Sequence, residues 1–135
     1  MLRKLFGGLA GIIAAFAVIT LVQMIGHQVI PPPSGMNPAD PDSIREAMAS
    51  LPIGAFLFVL LSYFLGAFTG SFVATWLGGV RVRSSATVVG GLVFAATVAN
   101  LVMIPHPIWF SVVALAGIPV AAFFGAKLAP RRVQT

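Results

Sequence analysis

Apolar residues run along this chain in long stretches that polar residues interrupt at only a few points. No charge occurs from residue 5 to residue 26, and none from 47 to 80. A helix that crosses the roughly 30 Å hydrocarbon layer needs about 20 apolar residues. The pattern therefore predicts spans over about 5–30 and 53–77. Between Arg83 and Lys127 the only ionisable side chain is His106. Pro105-His106-Pro107 divides that stretch, because prolines remove backbone donors and disfavour helix in the residue before them. It yields spans over about 86–104 and 108–129. The expected fold is all-α: one membrane domain over 1–135, a four-helix transmembrane bundle.

The segment 31–52 between the first two spans reads differently. Pro31-Pro32-Pro33 predicts a stiff, extended start. Ser34-Gly35 and Asn37-Pro38 favour turns. Ser43-Ile44-Arg45-Glu46 has the spacing of a capping box, in which serine and glutamate each satisfy an orphan backbone donor. Ile44, Met48 and Leu51 then share one face. A short amphipathic helix lying on the outer membrane surface is expected, ending near Pro52.

Composition agrees with the pattern. Of 135 residues, 59% are hydrophobic and 8% charged, against about 25% charged in soluble chains. A soluble fold of this size cannot hide so much apolar surface. The net charge of +5 sits in short clusters at the ends of apolar runs. Arg3, Lys4, Arg81, Arg83, Lys127, Arg131 and Arg132 fall on one side of the predicted membrane. Arg45 falls on the other, with Asp40, Asp42 and Glu46. The positive-inside rule makes the first side cytoplasmic, which predicts a multi-pass protein of a bacterial inner membrane with both termini inside. No aromatic–basic platform for bases accompanies the cations, so nucleic acid is not an expected partner. The chain has no cysteine, which excludes disulfides and thiolate metal sites. Ala15-Phe16-Ala17 resembles a leader cleavage site, but the apolar run continues to Ile25 and is too long for the core of a removable segment.

Helix association in lipid depends on close contact between small residues. Each predicted span carries such residues at four-residue spacing: Gly7, Gly11 and Ala15; Ser62, Gly66, Gly70, Ala74 and Gly78; Gly91, Ala95 and Ala99; Gly117, Ala121, Gly125 and Ala129. Packing within the chain is the expected use, and contact with a second copy the alternative. Placing Pro52 on Pro107 overlays Leu60 on Leu115, Ala67-Phe68 on Ala122-Phe123, Gly70 on Gly125 and Ala74 on Ala129. Two parallel hairpin repeats, of a kind found in transporters, would produce this echo, as would chance in a small apolar alphabet. Pro119 lies halfway along the last span and cannot donate to Leu115. A static kink is expected there, with a gating hinge as the sharper alternative.

Candidate chemistry converges on the outer end. Thr20, Gln23 and His27 share a face of the first span, and Thr97 and Asn100 a face of the third. Gln23, His27, Asn100 and His106 are therefore expected to approach one another, either as structural hydrogen-bonding glue or as a ligand pocket under the short outer helix. His27, Asp40, Asp42, Glu46 and His106 supply metal-ligand chemistry without a recognisable zinc spacing. Nucleophile elbows, phosphate loops and His-Glu-x-x-His are absent, so neither catalysis nor a cofactor is expected. Tyr63 and Ser62, the most central reactive groups, read as packing or hydrogen-bonding residues.

Pro31-Pro32-Pro33-x-Gly35, the Ser43-Ile44 helix start with Met48, and Leu65-Gly66-x-x-x-Gly70 together resemble small uncharacterised bacterial four-span inner-membrane proteins. The resemblance covers most of the chain and implies location without activity. In size the chain is similar to small multidrug-resistance transporters, which depend on a carboxylate in the first span. Residues 9–23 carry none. The expected function is a non-catalytic accessory or assembly protein that presents its outer loop to a partner, another membrane protein or a second copy of itself; the alternative is a small-solute transporter or channel with an outward-facing polar pocket.

Overall fold

The computed structural model describes residues 1–31, 34–35, 37, 39–79, 81–104 and 106–130. The expected features at Pro32, Pro33, Pro38 and Pro105, and the cations Arg131 and Arg132, lie outside the described residues. The chain forms α1 (Leu2–Val29), α2 (Pro41–Ser50), α3 (Ile53–Gly78), α4 (Val82–Met103) and α5 (Ile108–Leu128). All but α2 are long and apolar enough to cross a membrane. Even α5, the shortest of them with 21 residues, reaches roughly 31 Å at about 1.5 Å per residue. Two starts differ from expectation. α1 begins at Leu2 and α4 at Val82, so both helices carry their basic residues in the first turns.

Prolines and one glycine set the boundaries. Pro52 and Pro107 cap α3 and α5, and Pro41 occupies the first turn of α2, where a missing N–H costs nothing. Gly79 ends α3 in the left-handed region, φ 62°, and its N–H bonds to Thr75. Side chains with a Cβ adopt that conformation at a cost, glycine without one. Arg3 then donates through Nε to the Leu77 carbonyl at 3.0 Å, which satisfies an orphan acceptor and ties the start of α1 to the end of α3. The expected Ser43–Glu46 capping box is corrected. Asp40 is the N-cap of α2, accepting from the Asp42 N–H at 3.1 Å, and Ser43 Oγ instead accepts from the Asn37 N–H at 2.8 Å. Asp40 prevails because Pro41 fixes the first helical residue three positions earlier than the serine would.

The spanning helices form a ring in the order α1, α3, α5, α4, with α3 and α4 also touching across it. The α1–α4 edge is thin. Glycine explains the tight edges. A Cβ on Gly70 would lie 2.7 Å from Ala15 Cβ, from the Gly11 carbonyl and from Val89 Cγ1. A Cβ on Gly7 would strike Gly78, and one on Gly125 would strike the Phe68 backbone. Phe58 seats against Gly26 and Phe64 against Gly117. Backbones can approach this closely only where no side chain intervenes.

Gly7, Gly11 and Ala15 are buried, as are Ser62, Gly66, Gly70, Ala74 and Gly78. In the fourth stripe Gly125 and Ala129 are buried, while Gly117 and Ala121 are half-buried. The third stripe is corrected. Gly91, Ala95 and Ala99 face outward, and a Cβ on Gly91 would meet nothing within 4 Å. The packed face of α4 is Ser85, Val89, Gly90, Val93 and Thr97. Adjacent Gly90 takes the close contact with α5, at Ala122. Pro119 lies inside an uninterrupted α5 and faces outward. Of the overlaid residues, Ala67 and Ala122, Gly70 and Gly125, and Ala74 and Ala129 are buried in both hairpins.

Large apolar side chains cover the outside, among them Leu5, Phe6, Ile13, Leu57, Val112 and Val120, all more than half exposed. A contiguous apolar surface of this extent belongs against lipid. Trp76 and Trp109, outward-facing and 38% and 41% exposed, lie near opposite ends of the bundle. That is where amphipathic aromatic rings sit at membrane interfaces.

Candidate binding cavity at the distal end

The end of the bundle away from both termini is where α1 and α4 stop and α3 and α5 begin. Gln23 lies six residues before the end of α1 and Asn100 three before the end of α4, so at about 1.5 Å per residue both sit one or two turns inside. They do not bond to each other; each bonds to α3 instead. Gln23 Nε2 donates to Ser62 Oγ at 3.2 Å, and Ser62 in turn donates to the Val59 carbonyl at 2.6 Å. Asn100 Nδ2 donates to the Tyr63 hydroxyl at 2.9 Å. Two adjacent residues of α3 thus receive one amide from each flank.

Above this polar floor opens a cavity of about 340 Å³, near the lower end of the roughly 300–1,000 Å³ range of small-molecule sites. Gln23, His27, Asn100 and His106 all line it, together with Tyr63. α3 adds apolar wall at Ala55, Phe56, Phe58 and Val59. α2 and its C-cap roof it with Ile44, Ala47, Met48 and Leu51. The apolar face of α2 therefore turns toward the bundle. Its contact is made by side chains, since no Cα of α2 comes within 8 Å of a Cα of another helix. The cavity is blind toward the termini, where α1, α3 and α4 close around Gly70.

His106 is held in place by its neighbours. Its Nδ1 lies 2.7 Å from the Ile104 carbonyl, which can only accept, so Nδ1 carries the proton and Nε2 is left as an acceptor. The ring stacks on Phe110 at 4.8 Å and meets Phe56 edge-on at 6.4 Å. Desolvation by this packing lowers its pKa, partly offset by the bond to Ile104. Among the described residues, no Asp, Glu, Lys or Arg lines the cavity. It is a mostly apolar space with several hydrogen-bonding groups, among them the imidazoles of His27 and His106.

No family model, curated protein or solved structure matches the chain.

The other candidates fall elsewhere. Thr20 faces outward on α1. Thr97 is buried and donates to the Val93 carbonyl at 2.8 Å. Among the described residues, no three of His, Asp or Glu gather into a group that could hold a metal ion. His27, Asp40, Asp42, Glu46 and His106 are thus not brought together. The sequence marks Ser62 and Tyr63 as packing or hydrogen-bonding residues, and does not place Tyr63 at the cavity or Ser62 as the partner of Gln23. They are consecutive polar residues in an otherwise apolar α3, and that signal was available. Phe56 and Phe58 carried none, because aromatic residues recur along the whole helix.

Proposed function

We propose that the protein is a membrane-embedded binding protein or carrier for a small, neutral amphiphile held in the distal cavity. Of the two functions left by the sequence, the accessory subunit and the transporter with an outward pocket, the cavity supports the second. The observation that carries it is a mostly apolar space of about 340 Å³, without Asp, Glu, Lys or Arg among its described lining residues, that reaches Tyr63 and Asn100. An accessory protein has no need to keep Gln23 and Asn100 open to a void. Lowered basicity keeps His106 neutral near pH 7, so neither a fixed charge nor this histidine rewards a charged ligand. The apolar walls suit a hydrocarbon body and the polar floor a hydroxyl or carbonyl head. The closed middle of the bundle argues against an open channel.

The cation distribution supports placement in a bacterial-type inner membrane with both termini cytoplasmic and the cavity outside. In the cysteine-free chain, Ser34→Cys should label with impermeant maleimide from outside and Ser84→Cys only after lysis. The reverse pattern would move the cavity to the cytoplasmic face.

Binding is tested with 1-naphthol, an apolar bicycle bearing one hydroxyl, titrated into protein held in phosphatidylcholine nanodiscs. Saturable one-to-one binding is expected, weakened at least tenfold by Ala55→Phe, which fills the cavity. Equal binding by both proteins would place the probe elsewhere and remove the support for this function.

A further inference from the structure

A second cavity, of about 260 Å³, adjoins the first between α1 and α4. Three residues line both: Gln23, Tyr63 and Asn100. These side chains form the partition. Gln23 is held there by its bond to Ser62, and Asn100 by its bond to Tyr63. Rotating side chains out of a partition is a local motion, whereas opening the tight glycine edges would require whole helices to move.

The location of the second cavity matters. Phe16, on its α1 side, is thirteen residues from the end of α1, or about 20 Å along the helix. The opening therefore lies at hydrocarbon depth rather than at the membrane surface. Phe16 and Ala96, on opposite sides of the gap, both face outward. The gap follows from the placement of small residues. The close glycine contacts of α1 are made with α3, and that of α4 with α5, while Gly8 and Gly91 meet nothing within 4 Å. α1 and α4 are left with no notch to interlock. Among the described residues lining either cavity there is no Asp, Glu, Lys or Arg.

We propose that the ligand reaches the distal cavity sideways from the bilayer, through the α1–α4 gap and past a gate of Gln23, Tyr63 and Asn100. The ligand class is then a molecule dissolved in the membrane, with a hydrogen-bonding head that exchanges for the gate's own bonds, and not a water-borne solute. This inference rests on the reading of the distal cavity as a binding site.

The test bridges Phe16→Cys and Ala96→Cys with a flexible bifunctional methanethiosulfonate reagent, in a chain with no other cysteine. Uptake of 1-naphthol is followed by stopped flow in phosphatidylcholine nanodiscs. Bridging should slow uptake at least tenfold, leave equilibrium affinity within twofold, and be reversed by dithiothreitol. Unaltered uptake across the bridge would show entry from water beneath α2 and overturn the lateral route. Failure of the unbridged protein to bind would instead overturn the binding-site reading, and the route with it.

Discussion

The amide of Asn100 donates to the hydroxyl of Tyr63 at 2.9 Å, which joins α4 to α3 at the floor of the distal cavity. The neighbouring Ser62 receives Gln23 from α1. α3 is thus the shared anchor of both flanking helices where they diverge around the cavity. Polar groups at membrane depth are costly unless paired or facing water or protein, and here each is paired across helices.

The Asn100–Tyr63 bond should couple in a double-mutant cycle. Asn100→Ala and Tyr63→Phe, made singly and together, are expected to give an interaction energy of about 0.5–1.5 kcal/mol in detergent unfolding, as interhelical bonds in membranes do. Additive effects would show that the two groups do not depend on each other for stability.

Two glycines should respond oppositely to the same substitution. Gly70→Ala places a methyl 2.7 Å from Ala15, Gly11 and Val89. The contacts include a backbone oxygen and short side chains with little room to yield. Overpacking of this kind costs about 1–3 kcal/mol. Gly91→Ala meets nothing within 4 Å and gains up to about 1 kcal/mol of helix propensity. Thermal unfolding in one detergent should rank Gly91→Ala at or above the parent and Gly70→Ala well below it.

Acid should loosen the distal end through His106. Its folded pKa is lowered by burial, so below the ordinary histidine value of about 6.5 the unfolded chain binds the proton more readily. Stability from this group is fully present above about pH 6.5 and is lost as pH falls through the lower folded value. His106→Phe keeps the ring stacking with Phe110 and Phe56 and removes the titration. Melting temperature measured between pH 7.5 and 5 should fall less steeply in this variant than in the parent. Parallel curves would show that His106 titrates alike in both states.

The sequence revealed much of the fold because lipid imposes a simple rule, that an apolar run of sufficient length becomes a helix. The packed glycine faces of α1 and α3 were equally legible, since small residues recur there at one spacing with no competing face. On α4 two small-residue faces compete, and Gly90 and Gly91 differ by one position. Only the partner helix decides which is buried, and Ala122 selects Gly90. The cap of α2 was misassigned because serine and glutamate satisfy the capping spacing while Pro41, two residues earlier, sets the actual start. The gathering of Gln23, His27, Asn100 and His106 was legible from equal depth on two parallel helices. That each amide would bond to α3 rather than to the other was not, because depth says nothing about the helix toward which each polar side chain turns.

The central claim is that the distal cavity holds a neutral amphiphile, and solvent extraction tests it most directly. Protein purified in mild detergent is extracted with chloroform–methanol, and the neutral fraction is quantified by mass spectrometry beside the Ala55→Phe variant prepared in the same way. The account predicts about one equivalent of a neutral, head-bearing apolar molecule from the parent and at least tenfold less from the variant, with the variant melting no lower. Equal amounts of every neutral species from both proteins would contradict it.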